Sequence, residues 1–146
     1  MTTPVATILP WLTAAVLGCC LGSFANVLIW RLPRDQQVVK GRSRCPRCQR
    51  QIPWYENVPV LSWLALRGRC RGCQEPISWR YPLVELAAGG VAVGCVWWFG
   101  LTEQAEAAFG FLYLLGVIAV IDWEHMIIPH TLTVSGMIAG LAVAPW

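Results

Sequence analysis

The chain has 146 residues, 56% of them hydrophobic and 13% charged, with a mean hydropathy of +0.52. A soluble domain carries charge on roughly a quarter of its residues, so this composition excludes an ordinary soluble globule and points to a membrane protein. All eleven lysines and arginines lie between Arg31 and Arg80, beside three acids (Asp35, Glu56, Glu75), whereas the rest of the chain has five acids and no base.

In chain order, Val5 to Trp30 is uncharged over 26 residues, enough to span a bilayer, which needs about 20. Trp11 and Trp30 would stand about 28 Å apart on a helix, close to the hydrocarbon thickness, where indoles favour the two interfaces. No lysine or arginine precedes the run, so it reads as a retained span, not as a secretory signal. We place the first transmembrane helix at 1–30, running from outside to inside.

Residues 31–80 form a polar segment holding all the bases. Short loops rich in lysine and arginine stay in the cytoplasm, near anionic lipid, and the flanking apolar runs favour that reading over a nucleic-acid surface. Within the segment, Cys45-Pro-Arg-Cys48 and Cys70-Arg-Gly-Cys73 are separated by 21 residues. Two such pairs supply four thiolates for a closed tetrahedral zinc site. Its metal would be structural, ordering a loop too small for its own core. A redox dithiol is the alternative chemistry, although no βαβ pattern accompanies it. The seven cysteines are odd in number, which argues against a closed disulfide framework, and Cys19, Cys20 and Cys95 read as small residues in apolar runs.

Residues 81–146 form the third region. A second span is expected over Pro82–Leu101, with Glu85 near its start, then an acidic turn over Thr102–Glu106. A third is expected over Ala107–Ile128, closed by Pro129. A fourth apolar run opens at Thr131 and is short for a span, with Pro145 interrupting it before Trp146. The fold class is mainly α: a polytopic transmembrane helix bundle with a cytoplasmic four-cysteine, zinc-ribbon-like module. Glycines four apart (Gly18/Gly22, Gly90/Gly94, Gly136/Gly140) suit close helix contact in lipid. No internal repeat is read from the sequence. Three spans return Asp122 to the side of the cysteine module. We expect Asp122 to be partly buried at the inner end of the third span and suited to general acid–base work, the alternative being an acid that only marks the interface. Glu124 is expected to be solvated, and His125 and His130, five apart, do not share a helical face.

The motifs Gly22-Ser23-Phe24-Ala25-Asn26-Val27 with Arg31-Leu32-Pro33, Cys45-Pro-x-Cys48, Trp54-Tyr55-Glu56-Asn57-x-Pro59, Arg67-Gly68-Arg69-Cys70-x-x-Cys73 and Arg80-Tyr81-Pro82-x-x-Glu85 together resemble the bacterial prepilin peptidases, or type IV leader peptidases, over most of the chain. The resemblance implies an inner-membrane aspartic endopeptidase that removes leaders from type IV prepilins or type II secretion pseudopilins after a glycine at the cytoplasmic face. It also implies methylation of the new N-terminus from S-adenosylmethionine, with Glu56 and Asn57 as candidate contacts to that donor. It assigns Asp122 a catalytic role, beside the metal site already read from the spacing of Cys45, Cys48, Cys70 and Cys73. Here His130 follows Pro129, where the family commonly has an aspartate. The family's second catalytic aspartate lies in a Gly-x-Gly-Asp stretch, and these 146 residues contain none. Two neighbouring carboxyls share a proton and so divide acid and base work. The chain alone is therefore expected to be inactive, needing further C-terminal helices or a partner chain that supplies them. Two other classes stay open: a non-catalytic zinc-containing membrane adaptor, and a tethered nucleic-acid binder whose binding would be steeply salt-dependent.

Overall fold

The computed structural model describes residues 4–38 and 41–143; Lys40, Pro145 and Trp146 lie outside the described residues. The chain is mainly helical: α1 is Pro4–Arg31, α2 is the short Leu61–Ala65, α3 is Arg80–Phe99, α4 is Glu103–His125 and α5 is His130–Val143. Among the described residues there is no strand, only two isolated antiparallel bridges. Helices α1, α3 and α4 are long and apolar enough to cross a membrane, whereas α5 is a shorter apolar helix.

The helix boundaries differ from the sequence expectation for local reasons. Helix α3 starts at Arg80, with Pro82 in its first turn, where a missing N–H costs nothing. It stops at Gly100, whose φ of +70° bends the chain away while its N–H still reaches the Val96 carbonyl. Helix α4 starts at Glu103 because Glu103 and Glu106 favour the positive end of a helix; the acids read as a turn in fact form the first helical turn. It ends at Met126, three residues before Pro129, with Met126 at φ +54° and its N–H on the Asp122 carbonyl. The residue preceding a proline disfavours helical ψ, so the chain leaves α4 early and restarts at His130.

Helices α1 and α3 pack backbone to backbone. A Cβ on Gly18 would lie 2.8 Å from the Ala88 carbonyl, and one on Gly22 would lie 2.7 Å from the Glu85 Cα. From the other side, a Cβ on Gly89 would meet the Cys19 sulfur at 2.6 Å. Of the expected glycine pairs, Gly18/Gly22 therefore forms a contact, whereas Gly90 and Gly94 have no such neighbour and Gly89 takes the role on α3. Spacing along one helix does not reveal which face meets the neighbour. A second cluster, Ala25, Leu28, Ile29, Val117, Ile121 and Leu132, joins α1, α4 and α5. Elsewhere the spans present apolar side chains outward, with only 17% of the α4 window buried; in water that surface would be a large liability, and in lipid it is matched.

Buried polar groups fasten the end of the bundle that carries the cysteine segment. Asn26, 3% exposed, donates from Nδ2 to the Tyr81 carbonyl at 3.1 Å and to the Gly22 carbonyl at 3.4 Å, bonding α1 to the start of α3. Glu85, 8% exposed, accepts the Val60 N–H at 2.7 Å. Val60 sits at φ +60°, an unusual conformation for a β-branched residue, so the buried carboxyl holds a strained loop residue against α3.

Candidate metal centre and the acid at the end of α4

The cysteine segment is built from two copies of one small unit. Ser43-Arg44-Cys45-Pro46-Arg47-Cys48-Gln49-Arg50-Gln51-Ile52 lines up with Gly68-Arg69-Cys70-Arg71-Gly72-Cys73-Gln74-Glu75-Pro76-Ile77, so the expectation of no internal repeat is corrected. In the first unit the Cys45 N–H bonds the Arg50 carbonyl and the Ile52 N–H bonds the Ser43 carbonyl; in the second, Cys70 bonds Glu75 and Ile77 bonds Gly68. The bridges Arg44–Gln51 and Arg69–Pro76 are equivalent. Gln49 and Gln74 both take positive φ, 57° and 60°, which turns each knuckle so that its thiols point toward the other.

The four sulfurs lie within 4.8 Å of one another. Their close pairs join opposite knuckles, Cys45 to Cys73 at 3.8 Å and Cys48 to Cys70 at 4.0 Å. A tetrahedral ion bound at about 2.3 Å to each sulfur requires S···S separations of about 3.8 Å, so the donor set fits such an ion. Both sulfurs of each close pair would have to come from one Cys-x-x-Cys motif for a local redox disulfide, and they do not. The thiols are electrically distinct. Backbone N–H groups of Cys73 and Gly72 draw the Cys70 thiol down to about 7. The Glu75 N–H pulls Cys73 down as well, but burial and the surrounding thiols prevail and push it up to about 11. Cys70 thus ionises first, and a bound cation would displace the remaining protons.

Arginines brace the two knuckles through one acid. The Glu56 carboxylate, 6% exposed, accepts Arg50 Nη1 and Nη2 at 2.9 Å each and Arg71 Nη1 at 3.3 Å. Arg50 belongs to the first knuckle and Arg71 to the second. Its arginine hydrogen bonds, that from Arg50 foremost, hold the Glu56 carboxyl below the ordinary value of 4.5. A group depressed in the folded state contributes stability above its ordinary value and loses it as acid protonates the folded form. We therefore expect Glu56→Gln to speed metal loss to a chelator near neutral pH, with the difference from the parent chain shrinking as pH falls from the ordinary carboxyl value of 4.5 through the lower folded one; chelator competition across pH checks this. Asn57 is exposed and follows the short 3-10 turn Trp54–Glu56. Trp63 covers Gly68 and donates from Nε1 to the Ile77 carbonyl at 3.1 Å.

Asp122 lies in the last turn of α4 and is exposed, not partly buried as expected. Its carboxyl makes no hydrogen bond or ion pair with another described residue. Glu124 is not merely solvated: both its oxygens accept from Arg80 Nη1, joining the end of α4 to the start of α3. This pair fixes Asp122 at the end of the bundle from which the cysteine segment emerges. Its partners are 44 residues apart in sequence, beyond the reach of any local signal. The repeated knuckle, by contrast, had a signal in the shared Arg-Cys-x-x-Cys-Gln-x-x-Ile string.

Long apolar helices joined to a four-cysteine cluster that could hold a metal ion define a class of membrane protein. Residues 16–99 match the family described as Bacterial Peptidase A24 N-terminal domain. The chain is 55% identical over 129 residues to the prepilin leader peptidase/N-methyltransferase of Myxococcus xanthus, covering 88% of this chain and 38% of that protein. It is 39% identical over 158 aligned positions to the protein of that name from Burkholderia pseudomallei, covering 91% and 51%, and 38% identical over 127 to the one from Vibrio cholerae, covering 82% and 50%. The chain belongs to the prepilin leader peptidase family. It spans about half the length, or less, of these curated relatives, and no solved structure matches it.

Proposed function

We propose that this chain is the zinc-binding and first-aspartate part of a prepilin peptidase that removes leader peptides from prepilins or pseudopilins at the cytoplasmic face of the bacterial inner membrane. The observation that carries the reading is the Arg80–Glu124 ion pair, which keeps Asp122 at the same end of the bundle as the tetrathiol module. The basic segment 31–80 supports a cytoplasmic position for that end.

In this reading Asp122 is one of two catalytic carboxyls. Two carboxyls brought together share one proton, so that one activates water and the other protonates the departing amine. The second acid comes from helices outside this chain, in a longer protein or a partner chain. The metal would be zinc held by Cys45, Cys48, Cys70 and Cys73. Four thiolates leave no open position, so its contribution is to order the module. The relatives' name includes N-methyltransferase, which supports S-adenosylmethionine as a second substrate. Glu56, whose oxygens accept from Arg50 and Arg71, and the exposed Asn57 remain the candidate contacts to that donor. A non-catalytic adaptor role is the alternative.

Co-expression with a prepilin tests the peptidase reading. The chain alone is expected to leave the leader in place, and adding the remaining helices of a relative is expected to restore processing. In that pairing Asp122→Asn should lower processing by about 10³-fold or more, by analogy with loss of one member of a catalytic unit. Processing that survives Asp122→Ala would refute the assignment.

A further inference from the structure

Beside the metal site lies an open groove of about 470 Å³, lined by Trp63, Arg67, Gly68, Arg69, Ser78 and Trp79 among others. Trp79 is 69% exposed and directly precedes α3, whose 20 residues make about 30 Å, one hydrocarbon thickness. If α3 spans the bilayer, the groove opens at the level where the membrane begins. A second observation fixes its depth. Glu85 is five residues into α3, about 7.5 Å along the helix, and it holds the Val60 N–H. The short helix that follows Val60 is thus pinned at the edge of the hydrocarbon, and it turns outward Leu61, 65% exposed, and Leu64, 58% exposed. With α3 spanning the bilayer from this end, the exposed Leu61 and Leu64 would face the acyl boundary and the groove of Arg67, Arg69 and Trp79 the headgroups.

The charges in this groove are uncompensated. Arg47 pairs with Glu75, Arg50 and Arg71 with Glu56, and Arg80 with Glu124. Arg67 and Arg69 have no side-chain hydrogen bond or ion pair among the described residues. Two guanidinium groups match the oxygens of a phosphate, and an indole beside them suits the interface. The left-handed Arg67 and Gly68, at φ 52° and 65°, turn the chain tightly under Trp63, where a Cβ on Gly68 would meet the ring at 2.9 Å.

We propose that the Arg67–Arg69–Trp79 groove is a binding site for the phosphate of an anionic membrane phospholipid, with Leu61 and Leu64 as its apolar foot. The site seats the module on the bilayer surface and requires only the membrane placement of α3, so it stands or falls apart from the peptidase reading. The test is native mass spectrometry of the zinc-loaded chain in micelles titrated with phosphatidylglycerol or phosphatidylcholine. Retained phosphatidylglycerol is expected to fall roughly tenfold or more in Arg67→Gln/Arg69→Gln and much less in Arg42→Gln/Arg44→Gln, whose arginines are equally unpaired but outside the groove. As a check independent of any variant, hydrogen exchange of the parent chain in nanodiscs should slow over 61–69 with phosphatidylglycerol relative to phosphatidylcholine. Equal retention of the two lipids, equal losses in the two double variants, or unchanged exchange would each overturn the site. Protection of 61–69 by inorganic phosphate alone would overturn its assignment to lipid.

Discussion

Cys70→Ser is expected to expose the segment between Arg42 and Arg71 to rapid tryptic cleavage, whereas Cys20→Ser leaves the digestion pattern unchanged. Cys20 is exposed on α1, outside the tetrad. The size of the effect follows from how little else holds the module. Among the described residues from 41 to 79, the buried hydrophobic residues are Cys45 and Cys70 themselves. A buried aliphatic side chain contributes about 1.5–3 kcal/mol, and the module has none. A structural zinc would contribute on the order of 10 kcal/mol or more to folding, so a bound ion would outweigh every other local term. The Glu56 clamp and the Trp63 cover orient the knuckles but cannot replace it. Stripping the parent chain with a chelator should give the same cleavage pattern, and re-adding zinc should reverse it. Unchanged protease resistance in metal-free protein would show that the module is held by something else.

Gly22→Leu is the second large expected effect, and it acts within the membrane. The new Cβ alone would lie 2.7 Å from the Glu85 Cα and 2.9 Å from the Ala88 Cβ. The first of these obstacles is backbone and cannot rotate away. Helices α1 and α3 must separate, which weakens the Asn26 bond to the Tyr81 carbonyl and shifts Glu85 relative to Val60. Overpacking typically costs about 1–3 kcal/mol, and the coupled polar bonds add to it. We expect a fall of several degrees or more in the midpoint of thermal unfolding in detergent. Gly90→Leu is the matched control, because nothing lies within 4 Å of a Cβ there. Equal losses at the two positions would remove the close α1–α3 contact from the account.

These two expectations also mark what the sequence alone could reveal. The spans were legible because each is a long apolar run, a signal carried by neighbouring residues. The cysteine pairs were legible for the same reason, since each knuckle is complete within four residues. Asp122 stood out as a charge after an uncharged run. What remained hidden is non-local. Arg80 and Glu124 are far apart in sequence, and nothing near either names the other. Glu56 read as an available carboxylate until Arg50 and Arg71 were seen to occupy it. Gly89 was passed over for Gly90 and Gly94 because a spacing rule constrains one helix and says nothing of its rotation against the next. The second knuckle was missed as a repeat because Arg50 and Glu75 carry opposite charges and Gln51 and Pro76 share no chemistry, although the backbone treats both pairs alike.

The Arg80–Glu124 bond has a bearing on biogenesis. Its two halves flank a hairpin of α3 and α4, so the contact cannot close until the ribosome has delivered both helices. Closure of the bond therefore reports that the hairpin is complete, and only after that is the acid of α4 held at the end of the bundle that carries the thiol-bearing segment synthesised well before it.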